Sequence, residues 1–387
     1  MDFSKKLNLD SIWIFLFLVL FPFGQIIRIG ILQPIDVIAA LGAIYAIFKK
    51  YKKPDIFRYF SAFIFIAAFS WVFSVFVFKK PEVLYGLLYL FRFVAYSYFL
   101  IYVWNFSRRS LPNRRFLVGS LITISVVSAL FGWIQYFAIP SIKPFTIWGW
   151  DDHLFRLVGT FLDPGFLGIV IVFGLLTSIF LFFETKERIY LGLSGFLLIS
   201  LAFTYSRASY LALFGGLLVI FAQLKNLRYF AAIIVAFLIL IFLLPTSGNT
   251  ILRITREFSA IARIDNYKET LAIFGKSPIF GVGYDNLCLA RVESLGFLNL
   301  QSHACSGSDA SLMFILATTG VAGLTTFIWF LYNLLRLSAH YVLVKSLLTA
   351  LLIHSLFANS FFYSWVLGYV MILISSYPLK LKAKMKA

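Results

Sequence analysis

Continuously apolar stretches, each near the length needed to cross a bilayer as a helix, recur from one end of this chain to the other. They fall roughly at 11–29, 33–48, 57–78, 83–105, 116–138, 161–183, 189–205, 208–224, 229–245, 309–334, 341–358 and 361–377, against the ~20 residues that span a hydrocarbon core. A transmembrane barrel would need short segments of alternating polarity, and these runs are apolar throughout. Only 13% of the 387 residues are charged and the mean hydropathy is +0.91, so no aqueous surface can be assembled over most of the chain. The expected fold is all-α: a polytopic membrane protein with about twelve transmembrane helices, forming one integral membrane domain over 1–387. The first run follows Lys5 and Lys6 but is not followed by a small-residue cleavage site, so it is read as a retained span. There is no repeat of fixed period and no low-complexity linker.

A net charge of +18 invites a nucleic-acid reading, but the distribution of the charge argues otherwise. With the N-terminus in the cytoplasm, 21 of the 34 basic residues fall in cytoplasmic segments, including Lys49, Lys50, Arg108, Arg109, Arg114, Arg115 and Lys380. The short outer loops hold six: Arg28, Lys79, Lys80, Lys143, Arg156 and Arg207. Lysine and arginine are retained on the inner side of membrane proteins, so the bias reports orientation, with both termini inside, and no nucleic-acid partner is expected. The expected location is the cytoplasmic (inner) membrane.

In this topology the one large extracytoplasmic loop, 246–308, faces outward. Its segment ILRITREFSAIARIDNYKETLAIF places Leu252, Phe258, Ile261, Ile264 and Leu271 so as to predict helices lying against the membrane surface. GKSPIFGVGYDNL reads as turn-rich, with Gly281 and Gly283 permitting tight backbone. The loop closes on SHACSGSDASL (302–312), a polar cluster at the outer mouth of the tenth span. Three more polar outliers fall on the same side: Arg156 and Asp163 in HLFRLVGTFLDPGFLG, Arg207 in YSRASY, and WGWDDH ahead of them. Polar side chains at membrane depth usually face a cavity or a partner. Plainer roles exist for each: Arg207 snorkelling to the interface, Arg156 as an interfacial cation, Asp163 capping a helix that begins at Pro164. Arg92, deeper in LYLFRFVAY, needs a backbone carbonyl or an acid to pair with.

All sixteen acidic residues fall in loops or near span ends, which weighs against an ion-coupled transporter with midplane carboxylates. The outer side instead offers cations: Arg156, Arg207, Arg253, Arg256, Arg263, Lys268 and Lys276. Arginine matches phosphate oxygens bidentately, so a cationic cavity beside lipid-facing helices suits a lipid-linked diphosphate. The only two cysteines, Cys288 and Cys305, share the outer loop, where the compartment permits a disulfide; the alternative is two separate buried thiols.

RLVGTFLDPGFLG, TYSRASYLALFGG, RIDNYKETLAIFGKSPIFGVGYDNL and HACSGSDASLMFILATTGVAGL together resemble, in this order, the signature segments of the O-antigen ligase and O-antigen polymerase superfamily, over about 156–324. The resemblance implies an integral glycosyltransferase with its active site outside the cytoplasmic membrane. Such enzymes move a glycan from an undecaprenyl diphosphate carrier to an acceptor on a glycan, lipid or protein. The family's Ser-Arg turn falls on Arg207, and the arginine of its R-x-x-x-aromatic segment on Arg263, with Tyr267 as the aromatic. Its outer-loop histidine falls on His303, though Asp309 occupies the position nearer the span, Thr318 stands where a glutamate is usual, and Gly165 replaces a frequent asparagine.

The resemblance and the chemistry together assign roles. A diphosphate leaving group needs fixed cations, for which Arg207 and Arg263 are the candidates. Deprotonating an acceptor hydroxyl needs a base: His303, with Asp309 as its orienter or as the base itself. Arg156, Arg256, Lys268 and Tyr267 are expected to contact substrate. No P-loop, dinucleotide motif or cysteine cluster is present, and the adjacent Asp151 and Asp152 point apart in an extended segment. No cofactor and no metal are therefore expected. A polymerase would use the same residues, and an exporter or flippase of lipid-linked glycan is the alternative of a different class.

Overall fold

The computed structural model describes residues 9–28, 30, 32–244, 250–295, 305 and 307–377, and for 9–10, 148, 250–262 and 294–295 the backbone alone. Its described elements are helical, apart from one isolated bridge between Ser141 and Leu154. In chain order they are α1 (Leu9–Leu20), α2 (Pro34–Phe48), α3 (Phe57–Phe78), α4 (Leu84–Ser107), α5 (Leu111–Ala138), α6 (Pro164–Thr185) and α7 (Arg188–Thr204). There follow α8 (Arg207–Gln223), α9 (Leu227–Leu243), α10 (Thr250–Lys276), α11 (Leu287–Leu295), α12 (Ser311–Leu337), α13 (Val342–His354) and α14 (Ser364–Ser375). Every apolar run predicted above carries one of these helices.

The boundaries follow from local chemistry. Asp163 precedes Pro164, whose ring sets the first helical φ, and its Oδ1 accepts from the Gly165 and Phe166 amides at 2.7 and 2.8 Å. The Ser110 hydroxyl caps α5 through the Asn113 amide. Ser206 does the same for α8 through Ser209.

Five helices are long and apolar enough to cross a membrane: Phe57–Phe78, Pro81–Ser107, Leu111–Ala138, Pro164–Thr185 and Ser311–Leu337. Seven others are apolar but shorter, from Ser11–Phe23 to Ser364–Ser375. At one end of the bundle α1 runs into a 3-10 turn at 21–23, and 3-10 turns at 159–161 and 360–362 lead into α6 and α14. There Thr160 donates to the Pro22 carbonyl and Trp365 to the Phe21 carbonyl, so these turns are braced against each other. We refer to this as the polar end.

The segment 246–308 differs from a simple loop. Residues 250–276 form one continuous helix, α10, with Ile264 and Leu271 exposed on one side of it and Ile273 buried. Residues 278–283 then insert into a break in α12 at Gly320, where φ is +66° and ψ −167°. The Val282 and Gly283 amides donate to the Ala317 and Thr318 carbonyls, and the Val321 and Ala322 amides donate to Pro278 and Ile279. Groups freed by the break are thus satisfied by the inserted chain, the condition on which irregular backbone is tolerated at membrane depth. A Cβ at Gly320 would meet the Ile279 carbonyl, and one at Gly281 (φ +70°) the backbone of Thr318 and Thr319. Gly320→Ala should cost on the order of 1–3 kcal/mol from backbone conformation alone. Thermal unfolding in detergent measures it, and an unchanged midpoint would contradict the insertion.

Arg92 finds its acid on a neighbouring helix. Its guanidinium pairs with Asp36 at 2.8 Å, and Asp36 also accepts from Tyr96 at 3.1 Å. Asp285, carried in by the inserted segment, lies with Arg92 and Tyr89 around a cavity of about 20 Å³. Two acids therefore sit beside α4, some eight residues from its start, although one lies in the first turn of α2 and the other in the segment just before α11. The reason is topological: α2 begins beside the interior of α4, and the glycines at 281 and 283 let the chain carry Asp285 inward.

Candidate functional site

Three turns meet at the polar end around His354, the last residue of α13. His354 is fully buried; its Nδ1 lies 2.6 Å from the Ser360 hydroxyl and its Nε2 3.2 Å from that of Ser209. Ser209 is 2.8 Å from the Ser206 hydroxyl at the head of α8 and reaches the Gly165 carbonyl at 3.4 Å. Helix α13 packs along α8 and against α6, which holds these ends together. The segment after His354 also receives the start of α12: the Ser311 amide donates to the Ser355 carbonyl at 2.9 Å, and the Phe361 amide donates to the Ser311 hydroxyl at 3.2 Å. From α10, the Tyr267 hydroxyl donates to the Leu356 carbonyl at 2.7 Å.

Asp309 sits just before α12, half-buried, in a stretch held from several sides. Its amide donates to the Asn266 side chain at 3.1 Å, and the Ser308 hydroxyl does so at 3.3 Å. Arg291, buried, donates to the carbonyls of Cys305 and Gly307 at 2.9 and 2.8 Å and faces Glu269 at 3.6 Å. A disulfide joins Cys288 in α11 to Cys305, with Cα atoms 4.8 Å apart. Of the two alternatives left open above, a disulfide or two separate thiols, the structure has the disulfide, and it fastens Cys305 to α11. Denatured protein should take up thiol label only after reduction; full labelling without reductant would refute the bridge, whose loss should cost about 3 kcal/mol.

Ala310, not Asp309, is the N-cap residue of α12, so the Asp309 carboxylate is not spent on capping. Burial raises its pKa, opposed by the positive charges of Arg263 and Arg291 and reinforced by Asp151 and Asp163. Tyr267 is likewise raised, first by burial and then by Asp309, with Arg263 acting the other way. Arg263, Tyr267 and Asp309 thus form one electrostatic unit across α10 and the head of α12. His153 is pushed down by burial, against the pull of Asp163.

The cations predicted from sequence separate into groups. Arg207 is exposed at the head of α8 and Arg263 half-buried on α10, and neither makes an ion pair among the described residues. Arg156 is engaged: its guanidinium donates to the carbonyls of Thr204 and Tyr205, both at 3.0 Å, where the negative end of the α7 dipole lies. It thus satisfies carbonyls at the C-terminal end of α7. Lys268 is exposed and 3.5 Å from Asp265, one turn back along α10. Asp163 serves as the cap described above. Arg256 is on α10 but its side chain lies outside the described residues, as does His303 altogether. Sequence reasoning passed over His354 because it closes an apolar run; the signal available was its polar company, Ser355, Asn359 and Ser360.

The described residues form an all-helical bundle with five membrane-length helices, a broken helix α12 and an arginine-bearing polar end, the build of a polytopic membrane protein. Residues 192–328 match the family model described as O-antigen ligase. The matched region includes Arg207, Arg263, Tyr267, Asp309 and the break at Gly320. No curated protein matches the chain. The family so described comprises membrane enzymes of ligase-like or polymerase activity.

Proposed function

We propose that this protein transfers a glycan from an undecaprenyl diphosphate carrier to an acceptor hydroxyl, at the polar end of the bundle, with that end facing away from the cytoplasm. In the step, the acceptor oxygen forms a bond to the anomeric carbon while the bond from that carbon to the diphosphate oxygen breaks. The acceptor proton passes to a base, and the lipid diphosphate departs with the bonding pair. Arg263 and Arg207 offer forked donors to the charge growing on the leaving diphosphate. Asp309 is the base, its proton affinity raised by burial; His303 is the alternative.

What supports this reading is the electrostatic coupling of Asp309 with Arg263, which makes no ion pair among the described residues, and the hydrogen-bonded links from the head of α12 and from α10 toward the Ser206–Arg207 turn. Twelve spanning helices with both termini inside accompany the reading, and reporter fusions after Asn249 and Lys386 test them: an external C-terminus or a cytoplasmic 246–308 segment would overturn this orientation. The decisive experiment is transfer by purified protein in detergent, supplied with a lipid diphosphate-linked glycan, an acceptor and no nucleotide. New glycosidic bond and released lipid diphosphate are expected. Movement of the donor across vesicles without bond formation would favour an exporter, and lengthened carrier-linked glycan a polymerase.

A further inference from the structure

We infer that His354 is a positioning residue that fixes Arg207 relative to Arg263 and Asp309; the inference rests on the proposed transfer reaction. Among the described residues, His354 is the side chain that joins the two halves of the candidate site. On one side its Nε2 meets Ser209, whose hydroxyl meets Ser206, the cap residue immediately before Arg207. On the other side its Nδ1 meets Ser360, in the segment 355–362. That segment accepts the Tyr267 hydroxyl, one turn from Arg263, and the Ser311 amide, two residues from Asp309. Nearby charges, Asp163 and Arg263, act on the ring electrostatically.

The chemistry of the ring suits this job. A neutral imidazole offers one donor and one acceptor, so each serine hydroxyl takes a complementary part and both nitrogens are satisfied. The ring is stiff and buried without exposure, so it sets a fixed span between α8 and the 355–362 segment. Nothing else among the described contacts spans these two turns through side chains alone. Gly165 lies in the same neighbourhood: a Cβ there would be in ordinary contact, 3.8 Å, with both His354 Nε2 and the Ser206 hydroxyl. An arginine held on a leaving group by such a chain loses its effect when its turn drifts, because a misplacement of about 1 Å can cost on the order of a hundredfold in rate.

The test uses the full-length protein in detergent and the transfer assay above. His354→Ala should lower kcat about tenfold or more, with a smaller change in KM for the donor. His354→Gln, whose amide reaches the place of Nε2, should recover most of the loss, and His354→Asn should recover less. A structural role would not predict the decisive measurement, which is coupling. In an Arg207→Lys background, which already lacks the fork, His354→Ala should add less than about twofold, because both changes damage one interaction. Full additivity, or wild-type kcat in His354→Ala, overturns the inference. Should His354→Ala fail to insert, Ser209→Ala breaks the same link with little change of volume and is read by the same criterion. A wild-type rate in Arg207→Lys itself would instead remove the underlying reading of Arg207, so the two failures are distinguishable.

Discussion

Lysine in place of Arg263 or Arg207 is expected to reduce turnover by roughly two to three orders of magnitude while the protein inserts and folds normally. The size follows from removal of one preorganised donor to a developing anion, about 3–4 kcal/mol of barrier. Charge is kept in both variants, so a uniform electrostatic role would leave activity largely intact. What is lost is the planar fork, which meets two phosphate oxygens at once; an ammonium supplies one compact charge. Neither arginine makes an ion pair among the described residues, so neither substitution strips a structural partner. Arg156 supplies the contrast. It holds the carbonyls of Thr204 and Tyr205, and Arg156→Lys should lower the melting midpoint before it lowers kcat. Turnover near wild type in both Arg263→Lys and Arg207→Lys would reduce these residues to interfacial anchors.

The sequence disclosed the helices because each is a run of apolar residues bounded by charges, caps or prolines, and these are local features. It disclosed the arginine turn for the same reason, since Ser206 and Arg207 sit in one short polar interruption. What it left hidden depends on contacts distant along the chain. The break in α12 falls within an unbroken apolar run, and its freed backbone groups are satisfied by residues 278–283, some forty positions earlier. The partner of Arg92 lies on α2, and only packing brings Asp36 beside it. The split between engaged and unengaged arginines was likewise invisible, because Arg156 and Arg207 look alike as single cations near span ends. His354 belongs to this class too: an imidazole at the end of an apolar helix gains meaning only when Ser209 and Ser360 are seen on either side of it.

Asp309→Asn should abolish most of the activity, on the order of 10²- to 10⁴-fold, the range ascribed to a general base. The substitution keeps shape, and the Asp309 amide that meets Asn266 is backbone, so the local fold should survive. The pH dependence carries the stronger argument. Burial raises the Asp309 pKa, with Arg263 and then Arg291 working against the shift. Only the deprotonated carboxylate can take the acceptor proton, so activity should fall as pH drops through a value above the ordinary carboxylate range. Stability should run the other way. A carboxyl whose pKa is raised in the folded state binds its proton more tightly there than when unfolded. Its stabilising contribution is therefore complete below the unfolded pKa and is lost as pH rises through the folded one. The pH that creates the base is thus the pH that strains the site, and Asp309→Asn should be at least as stable as the native protein near neutrality. Arg263→Gln removes the largest opposing charge and should move the acid limb further up in pH in whatever activity remains. A limb that persists in Asp309→Asn and vanishes in His303→Ala would transfer the role of base to His303.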